Sequence, residues 1–248
     1  MIHLPELDAF TAPFGECGLE PLCVTFRLRP TARIVSYDPI HLDGLLARAV
    51  VECATKGRLL PDREEGYWIP LPLKMLWQEP LTGYPLWAAS VLYPVGPHVG
   101  DVYVRHKRNS EGWMHDKPRL VTRNGPWMER RLPTPTCVCD VYETRCIGNR
   151  DAVRMLLETF THIGKLRLGR MNDVEVTAAD FCDREIYLDG ASLLKPMPAA
   201  ANLLPLWPDS PSLVGWTPPF WKPSLFRPGW RAGTVNEPVD WFAAVPQA

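Results

Sequence analysis

The stretch "THIGKLRLGRM", residues 161 to 171, sets Lys165, Arg167 and Arg170 beside Gly164 and Gly169. Glycine admits positive φ and lets a second molecule approach the backbone closely, while basic side chains next to it attract anions. These residue types at this spacing suit the binding of a phosphate chain. They do not suit nucleotide hydrolysis, because a P-loop carries its lysine after a longer glycine-bounded run, between a strand and a helix. Lys165 instead follows the first glycine directly.

A second basic concentration lies between residues 105 and 131, "RHKRNSEGWMHDKPRLVTRNGPWMERR", where eight lysines and arginines face three acids, a local charge of +5. The whole chain carries a net charge of -1, so attraction to a polyanion must come from such local patches. Arg105, Lys107, Arg108, Arg119, Arg123, Arg130 and Arg131 would hold backbone phosphates. Trp113 and Trp127, with His106 and His115 nearby, would stack on unpaired bases. The same segment also reads as a solvated hairpin whose tryptophans pack on the body, and the residues alone leave both readings open.

Other reactive groups are sparse. His41, near Tyr37 and Asp38, could serve as the acid or base of a metal-independent endoribonuclease, since imidazole titrates near neutral pH. No second histidine or lysine stands nearby in sequence, which favours a capping or RNA-contacting role. Asp38 with Asp43, and Asp180 with Asp183 and Glu185, follow no metal motif and read as caps and turn residues. The seven cysteines, Cys17, Cys23, Cys53, Cys137, Cys139, Cys146 and Cys182, lack the paired spacing of a zinc site, even with His162 added. They read as reduced core thiols, and neither metal nor cofactor is expected.

The elements that must position these groups alternate between strand and helix. "CVTFRLR" sets Val24, Phe26 and Leu28 against Thr25, Arg27 and Arg29, the period of a strand with one buried face and one basic wet face. In "DPIHLDGLLARAVVECATKG", Leu42, Leu45, Leu46, Ala49, Val50, Cys53 and Ala54 recur at helical spacing, with Asp38 and Pro39 at the start and Gly57 at the end. The grammar then repeats: "VCDVYETRCI" as a strand, Asn149 as a cap, and Val153, Leu156, Leu157 and Phe160 as a helical stripe running to Gly164. "VEVTAADF" and "REIYLDG" read as two strands turning at Asp183. Strand, helix, basic glycine loop and strand pair make half of a ferredoxin-like unit, the fold of RNA-recognition domains.

From Lys195 onward the chain is rich in proline and tryptophan, including Trp207, Trp216, Phe220, Trp221 and Trp230. So much proline argues against regular helix or central strand, and so many aromatics argue against disorder. An irregular cover over the domain or a partner is expected. No apolar run reaches the roughly 20 residues of a membrane span, and "MIHLPELDAF" lacks a secretory layout. A soluble cytoplasmic protein is expected, without a membrane partner.

With these pieces assembled, the chain resembles the RAMP superfamily of CRISPR effector proteins, whose ferredoxin-like cores end in a glycine-rich basic loop, here "GKLRLGRM". More narrowly, "SYDPIHLDGLLARAV", "PLWAAS", "KPMP" and "PPFW" are similar to the Cas-five-like, handle-capping subunit of type IV complexes. The resemblance implies an α+β fold: a ferredoxin-like RAMP core in residues 1–104 and 132–198, a basic thumb in 105–131, and a Pro/Trp-rich cover in 199–248. It implies a non-catalytic subunit of a ribonucleoprotein in antiviral or anti-plasmid defence, which holds the 5′ handle of the guide RNA and caps a filament of backbone subunits.

Carried over, Gly164, Lys165, Arg167, Gly169 and Arg170 would meet handle phosphates; Arg27, Arg29 and Arg33 along the first strand are expected as secondary contacts, and His41 as an RNA-contacting residue. The implied partners are the guide RNA, the backbone and large subunits, and target DNA as one the resemblance leaves open. Leu166 and Leu168 stand where the family form is denser in glycine. Two rival classes remain beside it: the His41 endoribonuclease, and a purely structural assembly subunit that uses its aromatic tail.

Overall fold

The computed structural model describes residues 1–14, 18–35, 39–61, 63–107, 130–189, 192–201, 203, 211–218 and 226–231. Arg108, Trp113, Arg119, Arg123 and Trp127 lie outside the described residues, as do Tyr37, Asp38, Cys17, Trp207, Phe220 and Trp221.

The chain is an α+β protein built on antiparallel sheets. At its centre is β1 (Leu19–Leu28), flanked by β8 (Val141–Asn149) and β10 (Gly169–Ala178), both antiparallel to it. The short β5 (Tyr93–Pro94) extends the sheet beyond β8, and β9 (His162–Ile163) extends it beyond β10. The alternation read in the sequence holds: Leu22, Val24 and Phe26 are wholly buried and Leu28 nearly so. Each such side chain removed from water contributes about 1.5–3 kcal/mol.

The buried face of β1 is covered by helices. Pro5 opens α1 (Pro5–Thr11) at a position where its missing N–H costs nothing. α2 (Leu42–Ala54) buries Leu42, Leu46, Ala49 and Val50, as its 3.6-residue stripe requires. α3 (Arg150–Leu157) buries Val153, Leu156 and Leu157 in the same cluster. Its cap is the expected one: the Asn149 side chain accepts from the Ala152 N–H at 3.0 Å. The helix stops at Leu157, seven residues before Gly164, and the intervening chain turns into β9.

A second sheet stands beside this layer in the order β2 (Arg33–Val35), β7 (Arg130–Val138), β6 (Val99–Lys107). The backbones of β6 and β7 pair from Val99 opposite Val138 to Lys107 opposite Arg130. "VCDVYETRCI" is therefore two strands, not one: Val138 ends β7, Cys139 and Asp140 turn the chain, and Val141 begins β8.

Two further expectations are corrected near the C-terminus. "REIYLDG" is a single helical turn, α4 (Arg184–Tyr187), followed by β11 (Leu188–Asp189), which pairs with β12 (Ser192–Leu193). The reason is visible in the burial: Ile186, Tyr187 and Leu188 are buried consecutively, which a half-exposed strand cannot do. The proline-rich segment is also more regular than expected. β13 (Met197–Pro198), β14 (Ser212–Val214) and β15 (Arg227–Trp230) form a small sheet with β15 central, despite Pro228. Four residues suffice there because Gly229 is bare: a Cβ on it would come within 2.2 Å of the Met197 carbonyl oxygen.

This sheet has its own apolar cluster, in which the wholly buried Trp216 packs with Leu86, Leu193 and Met197. Leu86 belongs to β4 (Pro85–Trp87), which pairs with β3 (Met75–Gln78). The Arg227 guanidinium lies 5.9 Å from the Trp216 ring centroid and its Nε donates to Glu79 at 2.8 Å. No helix among the described residues is long and apolar enough to cross a membrane.

Candidate nucleic-acid interface

The basic glycine loop is partly regular structure. After β9, Gly164 takes φ +76°, Lys165–Arg167 form one turn of 3-10 helix, and β10 begins at Gly169. On both glycines the position a side chain would take points at the body. A Cβ on Gly164 would meet Ile40 Cδ1 at 3.0 Å, and one on Gly169 would meet the Ile163 carbonyl oxygen at 2.5 Å. The bare backbone thus lets the loop lie flat on the body, and Lys165, Arg167 and Arg170 project outward, all exposed. Arg167 itself holds a left-handed φ of 55°, which is costly for a residue with a Cβ.

Gly164→Ala combines an unfavourable φ with the Ile40 contact, so a loss of about 1–2 kcal/mol is expected. Urea denaturation of the variant beside the parent measures it, and an unchanged midpoint would contradict the strained turn.

The turn between β1 and β2 lies against this loop. The Arg29 N–H donates to the Arg170 carbonyl at 2.9 Å and the Arg33 N–H donates to the Leu168 carbonyl at 3.2 Å. Four exposed cations, Arg29, Lys165, Arg167 and Arg170, are thereby gathered at one edge of the central sheet. Arg33 and Arg27 are engaged elsewhere: Arg33 Nη1 lies 2.6 Å from Asp101, and Arg27 Nη2 lies 3.3 Å from Glu175.

The outer face of β1, basic in isolation, is of mixed charge in the sheet. The register sets Glu143 and Glu175 on either side of Thr25, and Asp173 beside Arg27. The loop edge, not the open sheet face, is the cationic surface.

The hairpin of β6 and β7 stands on the far side of β2 from the loop. Its register places Lys107 opposite Arg130, His106 opposite Arg131 and Arg105 opposite Leu132. At these positions the description extends to the backbone alone.

His41 precedes α2 and bridges to Val91. Burial, reinforced by the Lys195 ammonium, pushes its imidazole down to about 3. At neutral pH it is uncharged, so it offers no cation to a phosphate and is a weak proton acceptor. Beside it is a feature the sequence did not announce. Lys195 and Asp43, each 1% exposed, form an ion pair at 3.3 Å, and Lys195 Nζ also donates to the Trp87 carbonyl at 2.6 Å. Desolvation pulls the lysine below its ordinary value and lifts the aspartate above its own, while their attraction opposes both shifts.

Among the described residues no three His, Cys, Asp or Glu side chains gather as a metal site, and Cys139 and Cys146 are buried thiols. A scan against models of known protein families finds no match to the chain, and a search of curated proteins finds none.

Proposed function

We propose that this protein is a non-catalytic subunit of a type IV CRISPR ribonucleoprotein, of the RAMP superfamily, that seats the 5′ handle of the guide RNA and caps a backbone filament. The observation that carries the reading is the convergence of Arg29, Lys165, Arg167 and Arg170 at one sheet edge, held there by two backbone hydrogen bonds. Exposed cations on a fixed backbone are what a phosphate chain needs, since phosphate contacts position a nucleic acid without reading it.

The strand order supports a ferredoxin-like core. β10, β1, β8 and β5 lie side by side and antiparallel, α2 follows β1, and α3 connects β8 to β10. In that reading the β6–β7 hairpin carries the thumb toward a neighbouring backbone or large subunit, or toward target DNA, and the Trp216 module is the C-terminal cover.

The test is a salt titration of guide RNA binding. Reversing charge at Lys165, Arg167 and Arg170 together removes about three phosphate contacts and is expected to flatten the log–log slope by roughly two to three units. The variant should keep its thermal midpoint, because all three side chains are exposed. An unchanged slope would remove the loop from the interface.

A further inference from the structure

Beside the loop lies a groove of about 300 Å³. It is lined by Phe160 and Thr161 of the chain after α3, by Arg170, Asn172 and Asp173 of β10, and by Arg29. The groove sits on a β-bulge. Arg27 pairs with Asp173 and Leu28 with Met171, so Asn172 has no counterpart on β1. A bulge bends its strand and re-aims the side chains it carries, and bulges are over-represented beside functional sites. Asn172 and Asp173 are both exposed there, while Phe160 is half-buried with the Arg48 guanidinium 5.6 Å from its ring centroid.

We infer that this groove receives one base of the RNA strand whose phosphates lie along Arg29, Lys165, Arg167 and Arg170, and that the base is guanine. The inference rests on the RNA-binding reading above. A nucleotide needs a cationic end for its phosphate, a flat apolar surface for its ring and polar groups for its edge. Arg29 with Arg170, Phe160, and Asn172 with Asp173 supply these within one groove. Guanine is selected because its Watson–Crick edge presents two adjacent N–H donors, which match the two oxygens of a carboxylate. Uracil and cytosine present single donor positions beside acceptor atoms, which a carboxylate repels. The second carboxylate of the groove, Glu158, is held by Arg154 at 2.8 Å, leaving the edge contact to Asp173.

The experiment uses the full chain and four labelled RNA octamers, each of uridines with G, A, C or U at one central position, followed by fluorescence anisotropy. The G octamer is expected to bind about tenfold more tightly than the all-U octamer, the scale of one well-made bidentate contact. Asp173→Asn is expected to bring that ratio close to one. Phe160→Leu is expected to weaken the G octamer about five- to a hundredfold through lost stacking.

Equal binding of all four octamers by the parent protein would overturn the inference without any variant. So would a G preference that survives Asp173→Asn. If either occurs while the triple loop reversal still flattens the salt slope, the groove assignment fails and the RNA-binding reading stands. If no octamer binds at low salt and the loop reversal changes nothing with guide RNA, both fail.

Discussion

Lys195→Ala is expected to lower the unfolding free energy by about 3–5 kcal/mol, because it leaves the Asp43 carboxylate buried without its partner. The pair joins residues 152 positions apart, with both side chains 1% exposed. Asp43 sits in the first turn of α2, and Lys195 sits between β12 and β13, where it also holds the Trp87 carbonyl of β4. A domain of this kind has about 5–15 kcal/mol of stability in all, so the single change removes a large part of it.

Asp43→Ala should cost a comparable amount by stranding the ammonium. The double variant Asp43→Leu/Lys195→Met should recover most of the loss, since it buries no charge at all. The Trp87 carbonyl loses the lysine but keeps the Ala89 N–H, which donates to it at 2.9 Å, so it is not left unsatisfied. Urea unfolding of the four proteins measures the cycle. Single variants that each cost less than about 1 kcal/mol would show that the pair is exposed to water in solution.

The same pair explains why part of this architecture was legible in the sequence and part was not. The strand from Val24 to Leu28 and the helix from Leu42 to Ala54 announce themselves by periods of 2 and 3.6, because one face of each is buried. Asp43 falls inside that helical stripe and Lys195 inside a proline-rich run, and nothing local marks either as buried. Their partnership is a property of the tertiary fold. The turn at Cys139 and Asp140 was hidden for a related reason: the apolar residues of "VCDVY" continue across it, so no break in pattern signals the change of sheet.

α4 did carry a signal. Asp183 stands at the N-cap and Glu185 in the first turn, and the Glu185 side chain accepts from the Cys182 N–H at 2.8 Å. The glycines of the basic loop have a packing reason of their own. They admit Ile40 and the Ile163 carbonyl, and what faces outward is the row of cations.

That distinction bears on function. A chain with 27 basic and 28 acidic residues can present a cationic edge only by arranging acids elsewhere. Asp101 and Glu175 take Arg33 and Arg27, and the sheet face around β1 is balanced by Glu143 and Asp173. The loop edge then stands out against a neutral background, which keeps attraction to phosphate local to one surface.

His41 supplies the remaining large effect, in acid. Its imidazole is neutral in the folded protein down to about 3, held there by burial and by Lys195, whereas in the unfolded chain it takes a proton near 6.5. The unfolded state therefore binds more protons between those values, and linkage makes stability fall as the pH is lowered through that window. The loss attributable to His41 is about 2–4 kcal/mol by pH 3. Asp43, lifted above its ordinary carboxylate value by burial, acts in the opposite sense, since above that ordinary value the folded state holds its proton more tightly than the unfolded chain does.

Comparing the parent with His41→Gln separates the two, because both proteins keep Asp43 and Lys195. The His41 side chain makes no capping hydrogen bond to α2, so glutamine leaves the helix start intact. The variant is expected to lose less stability on acidification, its curve rising relative to the parent between pH 6.5 and 3 as measured by urea unfolding. Parallel curves would mean that His41 is protonated in the folded protein. That result would restore it as a cation able to meet phosphate at the start of α2.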